Sequence, residues 1–382
     1  MQKEKRINVD SGVETTSEKR HKTIHWLSRH PTPYNAGLFR ALSAEESFNL
    51  IVHFRDPILK SHPWQSYFKQ GYISRVYDRT MGVDWHLLSI AKKEQNSIFI
   101  IAGWDHPTSI ILINYLMLMR RKFILWTDTP ELKRKRSLFF SFIRSFWLRI
   151  IFNCAYKIMG TGKPAIEALQ KMGASKNKLI IFPYFVDIDY YTDNHHVYNT
   201  GDEQIVKFVS SGRLVNSLKG HDIALIALSK VASITEKQFI YFIVGTGADQ
   251  QTLKEMAQKL EIGDKVKCLG WIEQNKLTEL LHSTDVLIHP SPVHEPYGVA
   301  VIEAMASGVV VLASDATCAG IDRIAHGVNG FIHPSGNTQI LAEQILFLLK
   351  NPKRIEEIGR KARLTAEEWP ISRGVEIVKK AI

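Results

Sequence analysis

Two glutamates, Glu295 and Glu303, stand with seven residues between them in Glu-Pro-Tyr-Gly-Val-Ala-Val-Ile-Glu. A carboxylate accepts hydrogen bonds from paired hydroxyls, so two of them on one crevice suit a ligand with polyol character at both ends. Between them Gly298, flanked by Tyr297 and Val299, removes a side chain where backbone would approach that ligand. Residues 299–307 suit a helix that Gly308 ends. The first N–H groups of a helix have no internal partner and carry partial positive charge, which favours an anion such as a diphosphate. Two cations lie earlier, Arg213 and Lys219, in Ser-Gly-Arg-Leu-Val-Asn-Ser-Leu-Lys-Gly over 211–220. Facing the same crevice, they would neutralise a leaving diphosphate without a metal.

The apolar run 285–289 reads as a buried strand, 290–294 as a Pro-interrupted loop, and 309–313 as the next strand. Strand, loop, helix, strand is the unit of a parallel sheet with crossover helices, where ligands gather at the carboxyl ends of strands. The same pattern runs through the second half. Strand 206–210 leads to Gly212, strand 239–244 to Gly245-Thr-Gly247, and strand 266–269 to Gly270-Trp271. Trp271 suits either stacking on a base or packing.

Taken together these motifs resemble the E-x7-E signature of retaining glycosyltransferases, in particular glycosyltransferase family 4. The resemblance covers residues 205–332 by motif and 23–190 by topology alone. It implies an α/β protein of GT-B fold, two Rossmann-like domains facing across a cleft. It also implies that Glu295 holds hydroxyls of a donor sugar, Glu303 the ribose, and Arg213 and Lys219 the donor phosphates. Gly212, Gly245, Trp271, Tyr297, Gly298 and Val299 would complete the donor site. The donor would be a UDP- or GDP-linked sugar used as co-substrate, with no cofactor and no metal.

In the first half, strands are expected at 24–28, 48–54, 98–102 and 122–126, with a loop at 29–37 and helices at 38–44 and 110–119. Three strand-end loops carry polar residues, Tyr34 and Asn35, Asp105 and His106, Asp128 and Glu131, and these are the candidates for an acceptor site. Where the resembled family has a Gly-Gly pair this chain has Ala36-Gly37, and Trp126-Thr127-Asp128 stands where its sugar-contacting histidine is sought. Asp128 is therefore a candidate catalytic residue. His106 reads equally as a structural loop histidine, and Asp128 and Glu131 also as caps of the next helix. Asp187-Ile-Asp189 matches a cation-binding D-x-D but sits in a linker, and Asn194-His-His196 is too little for a metal site.

The net charge of +11 is uneven: residues 1–200 hold 29 Lys+Arg against 17 Asp+Glu, and residues 201–382 hold 20 against 21. An anionic partner should therefore meet the first half. The run 137–152 is rich in Phe, Leu, Ile and Trp, with Ser137, Ser141, Arg144, Ser145 and Arg149 on one stripe. Too short and polar to span a bilayer, it suits an interfacial helix, so contact with an anionic membrane is expected through 120–152. Nucleic-acid binding would explain the charge and leave the glutamates unexplained. Three scattered cysteines favour a reducing compartment. The expected location is cytoplasmic, peripheral to the membrane, with a glycan or lipid-linked acceptor in surface polysaccharide or glycolipid synthesis. A GT-B epimerase or phosphorylase, or a silent nucleotide-sugar-binding protein, are the alternatives. The expected division is a mobile tail at 1–22, an acceptor domain at 23–190, a linker at 191–204, a donor domain at 205–366, and a terminal helix at 367–382 that crosses back.

Overall fold

The computed structural model describes residues 22–56, 71–77, 80–133, 137–192 and 205–382. The tail up to residue 21 and the Asn194-His-His196 segment lie outside them, as do three residues of the basic run before the aromatic helix, 134–136. Short runs of branched and aromatic residues form β1 (Lys22–Ser28), β2 (Phe48–Phe54), β3 (Ile73–Arg75), β4 (Ile98–Ala102), β5 (Phe123–Thr127), β6 (Lys157–Gly160) and β7 (Leu179–Ile181). They pair in parallel in the order β3-β2-β1-β4-β5-β6-β7. A second sheet contains β8 (Val206–Ser211), β9 (Phe239–Val244), β10 (Val266–Gly270), β11 (Val286–His289), β12 (Val310–Ser314) and β13 (Phe331–His333), in the order β10-β9-β8-β11-β12-β13. Parallel strands need crossovers, and helices supply them on both faces, so most strands are buried on both sides.

In each sheet the order reverses beside the first strand, between β1 and β4 and between β8 and β11. Loops at the carboxyl ends diverge at such a switch point and leave a crevice there. That is where Arg29–Asp56 contacts, Gly212, Lys219 and Glu295 all fall.

The helix expected at 38–44 begins earlier and spans Pro33–Ser43. Proline at its first position lacks the N–H that would be orphaned there, and its fixed φ suits a helix start. Tyr34 and Asn35 thus sit in a first helical turn and not in a loop. Between β2 and β4 lie β3 and the helix Trp85–Lys93, started by Asp84, whose carboxylate accepts from the His86 and Leu87 N–H groups.

The two cores meet close to residue 185. Phe182 and Phe185 pack with Trp26, Phe39 and Trp126 in the first domain, whereas Val186, Ile188 and Tyr191 pack with Leu287, Val301 and Met305 in the second. The seam therefore precedes the boundary expected at 190, because the apolar residues of the helix Ile188–Thr192 are buried by the second domain. The last helix, Ile371–Ala381, packs Val375, Val378 and Ala381 into the first domain's core. Lys379 pairs with Glu45 at 3.0 Å, and Lys22 Nζ donates to the Ile382 carbonyl at 2.7 Å.

Candidate functional site

Glu295 follows β11 in a loop fixed to the loop beyond β12: its N–H donates to the Ala316 carbonyl, and the Cys318 N–H donates to its own. Its side chain is nearly enclosed, and both oxygens are used. Oε1 pairs with the Lys219 ammonium, while Oε2 accepts from His289 Nε2 at 2.8 Å and from the Ser291 hydroxyl. Burial would raise this carboxyl, but His289 and Lys219 outweigh it and hold the group far below the carboxylate range. The sequence places Lys219 and Glu295 on one crevice with separate ligands; the fold joins them to each other. His289 and Ser291 are part of the site and were missed, the only signal being a histidine at the carboxyl end of a buried strand.

On its way to Glu295 the Lys219 chain runs over Gly212, where a Cβ would sit in ordinary contact, 3.5 Å from Lys219 Cε. The loops after β8 and β9 touch backbone to backbone: a Cβ on Gly245 would lie 1.9 Å from the Gly212 carbonyl oxygen. Arg213 is exposed, and its carbonyl accepts from His221 Nε2 at 3.3 Å. Burial, with His289 and Lys219 nearby, pulls the His221 imidazole down to about 4, so it sits beside the two cations uncharged at neutral pH. The helix Val299–Ala306 starts at Gly298 with φ +101°, and a Cβ there would meet Thr317 Cγ2 at 2.8 Å. Gly298 is thus required by its own backbone and by the packed Thr317, independently of any ligand.

Glu303 lies in the middle of that helix, 9% exposed. Its Oε1 accepts from the Tyr191 hydroxyl at 3.0 Å and from Gln274 Nε2 at 3.4 Å. Burial raises its carboxyl and these two hydrogen bonds oppose the rise. Tyr297 is a core residue at the seam, its ring 5.2 Å from that of Tyr184; a side-chain contact to a donor is not what its burial provides. Trp271 is 45% exposed at the end of β10, free to stack on a planar ligand. Val299 is half-buried at the first helical position.

On the other side of the cleft a cavity of about 1310 Å³ gathers every acceptor candidate: Tyr34, Asn35, Asp105, His106, Asp128 and Glu131. His294 and Pro296 of the second domain complete its wall. His106 Nδ1 accepts from the Thr108 N–H at 3.2 Å, so it caps the helix Pro107–Leu118. Among the described residues Asp128 caps no helix; its Oδ1 accepts from the Tyr184 hydroxyl at 2.8 Å. Burial raises the Asp128 carboxyl, against Tyr184 and the nearby His294. The domains touch here, since Thr129 N donates to the Pro296 carbonyl at 3.3 Å and His294 Nε2 to the Thr129 carbonyl at 2.9 Å.

The polar stripe of the helix Leu138–Cys154 faces this cavity through Ser141, Arg144, Ser145 and Arg149. Its apolar remainder is divided: Leu148, Ile151 and Phe152 enter the core, while Phe139, Phe142, Ile143 and Phe146 are exposed. No helix among the described residues is long and apolar enough to cross a membrane, and none of their His, Cys, Asp and Glu groups forms a metal cluster.

Two doubly wound domains with a strand-end site on one and a large cavity on the other define the GT-B class. Residues 193–365, which contain the second domain's sheet, match the model of the family Glycosyl transferases group 1. Over 226 residues the chain is 28% identical to D-inositol 3-phosphate glycosyltransferase of Gordonia bronchialis, covering 56% of this chain and 48% of that one. Over 167 residues it is 30% identical to N-acetyl-alpha-D-glucosaminyl L-malate synthase of Bacillus anthracis, covering 44% and 41%. The matches thus span less than half the length of these curated relatives. Among solved structures, Anabaena HepE in complex with UDP superposes with a TM-score of 0.74 at 17% identity, over 94% of this chain and 98% of that one. The lipopolysaccharide outer core galactosyltransferase WaaB gives 0.72 at 15% identity, over 94% and 98%. At these identities the likeness concerns the fold.

Proposed function

We propose that this chain is a retaining, metal-independent glycosyltransferase that moves a sugar from a nucleoside diphosphate to a glycan or lipid-linked acceptor. The observation that carries the reading is Glu295, locked by Lys219 and His289 at the switch point of the second sheet and opposite the cavity of the first. Breaking the C1–O bond leaves an oxocarbenium-like centre and a diphosphate. Arg213, Lys219 and the start of the helix Val299–Ala306 stabilise the diphosphate by charge already in place. Glu295 accepts from hydroxyls of the donor sugar and Glu303 from the ribose. Asp128, Tyr34 and Asn35 meet the acceptor side. The donor base is uracil or guanine, and the titration below distinguishes them.

The exposed Phe139, Phe142 and Phe146 beside Arg144 and Arg149 support docking on an anionic membrane, which would bring a lipid-linked acceptor to the cavity mouth. A location at the inner face of the cell membrane follows from that reading.

The test is a thermal-shift titration with UDP and GDP, followed by sugar transfer to membrane extracts in excess chelator. One nucleotide should raise the melting temperature, Arg213→Ala should weaken that effect, and chelator should leave transfer intact. A nucleotide response indifferent to Arg213→Ala and Glu303→Ala together would overturn the assignment.

A further inference from the structure

Glu303 is an unusual carboxylate for a ligand site. It is buried, no ion pair among the described residues holds it, and the hydrogen bonds that its side chain makes with them fall on one oxygen, Oε1. A buried carboxylate without a counter-ion survives only if neutral donors satisfy it. Here the donors are the Tyr191 hydroxyl and the Gln274 amide, and the Gln274 amide also donates to the Tyr191 oxygen. Tyr191 is itself fixed at its other end, because His282 Nε2 donates to its carbonyl at 2.6 Å. One helix, Gln274–His282, thus holds Tyr191 at hydroxyl and backbone together.

We infer that Tyr191 and Gln274 are positioning residues for the nucleotide: they saturate Glu303 Oε1, fix the orientation of the carboxylate, and leave Oε2 to a ribose hydroxyl. This rests on the reading of Glu303 as the ribose acceptor. Among the described residues, the groups around Glu303 offer no substitute. The helix Ile188–Thr192 offers Tyr191, with Tyr190 against its ring, and the helix Gln274–His282 offers Gln274 and His282. The first domain presents Tyr34 within electrostatic reach, and the helix Pro352–Glu367 brings only Ala362 and Ala366 to the shared core. Among the described residues, no lysine or arginine of these elements acts on Glu303. Removing the Tyr191 hydroxyl therefore lets Glu303 take up a proton at a higher pH, and a protonated Glu303 is a weaker acceptor for that ribose hydroxyl.

The experiment measures affinity for UDP and GDP, and for their 2′,3′-dideoxy counterparts, from pH 5.5 to 8.5. Wild type should bind the preferred ribonucleotide more tightly than its dideoxy form. Tyr191→Phe, which keeps the ring, should bind that ribonucleotide about tenfold more weakly at neutral pH, with its acid limb moved to higher pH, and the dideoxy form as wild type does. Gln274→Met should shift both in the same direction, and serves if Tyr191→Phe does not fold. A loss equal for both nucleotides, or an unmoved acid limb, would mean a merely structural tyrosine. Wild type that binds both forms equally would remove Glu303 from the ribose, and the reading beneath this inference would fall with it.

Discussion

Lys219 and Glu295 form an ion pair between the loop after β8 and the loop after β11, and His289 grips the second carboxylate oxygen. The pair sits where a donor's phosphates and sugar would adjoin, so the lysine both orients the acid and supplies positive charge. Lys219→Ala removes a donor present before reaction begins, and electrostatic stabilisation of that kind is worth about a hundredfold in turnover. The expected result is a loss of at least about a hundredfold in kcat at saturating donor, with circular dichroism unchanged. Full activity in Lys219→Ala would remove the diphosphate role from this site.

The pairing of Asp128 with Tyr184 gives a pH-dependent prediction. Burial raises the Asp128 carboxyl and the Tyr184 hydroxyl works against it. Tyr184→Phe removes that opposition, so Asp128 should stay protonated to higher pH. If ionised Asp128 serves the acceptor side, the acid limb of the pH–rate profile moves upward in Tyr184→Phe and vanishes in Asp128→Asn. A limb at the same pH in all three proteins would exclude Asp128 from the reaction.

Much of the second domain was legible because its constraints are local. Gly298, Gly308 and the Pro290 loop each punctuate an apolar run, and E-x7-E fixes which helix follows which loop. The partners of those residues were not legible. Nothing in the spacing of Lys219 and Glu295 says that they bond to each other, since that depends on β8 lying beside β11. The hydrogen-bond roles of Tyr184 and Tyr191 were not legible either; they arise because the seam between domains runs beside them. The first domain was legible as strands and strand-end loops, yet its helix at Pro33 was placed late because the proline reads as a breaker as readily as a helix start.

A second pH effect concerns stability alone. His25 Nδ1 and His53 Nε2 share a 3.0 Å hydrogen bond in the first core, and His25 Nε2 lies 2.9 Å from Glu94 Oε2. Burial lowers both imidazoles below their ordinary value, His53 well below it. A base depressed in the folded state stabilises the fold above its unfolded pKa, about 6.5, and that contribution is lost as pH falls through the folded value. The melting temperature should be level from pH 8 to 7 and drop below about pH 6. His53→Leu should melt lower at pH 7 but show a shallower acid slope. Parallel slopes would dismiss the pair as the cause.

The exposed face of the helix Leu138–Cys154 separates docking from folding. Phe142 and Phe146 are 75% and 62% exposed, so replacing both by serine removes little buried area and should leave the melting temperature within about a degree or two. Leu148, on the buried side, is the contrast: Leu148→Ala opens a cavity in the core and should cost about 2–5 kcal/mol. If the face docks on lipid, Phe142→Ser with Phe146→Ser should abolish co-sedimentation with anionic liposomes at low salt, whereas Arg144→Gln should weaken it and make it less salt-sensitive. Transfer to a water-soluble acceptor should survive the double substitution, because the aromatic face is not part of the cavity wall. Wild-type protein that ignores such vesicles would leave the exposed phenylalanines without a membrane role, and a double variant that loses soluble transfer as well would place them in the acceptor site instead.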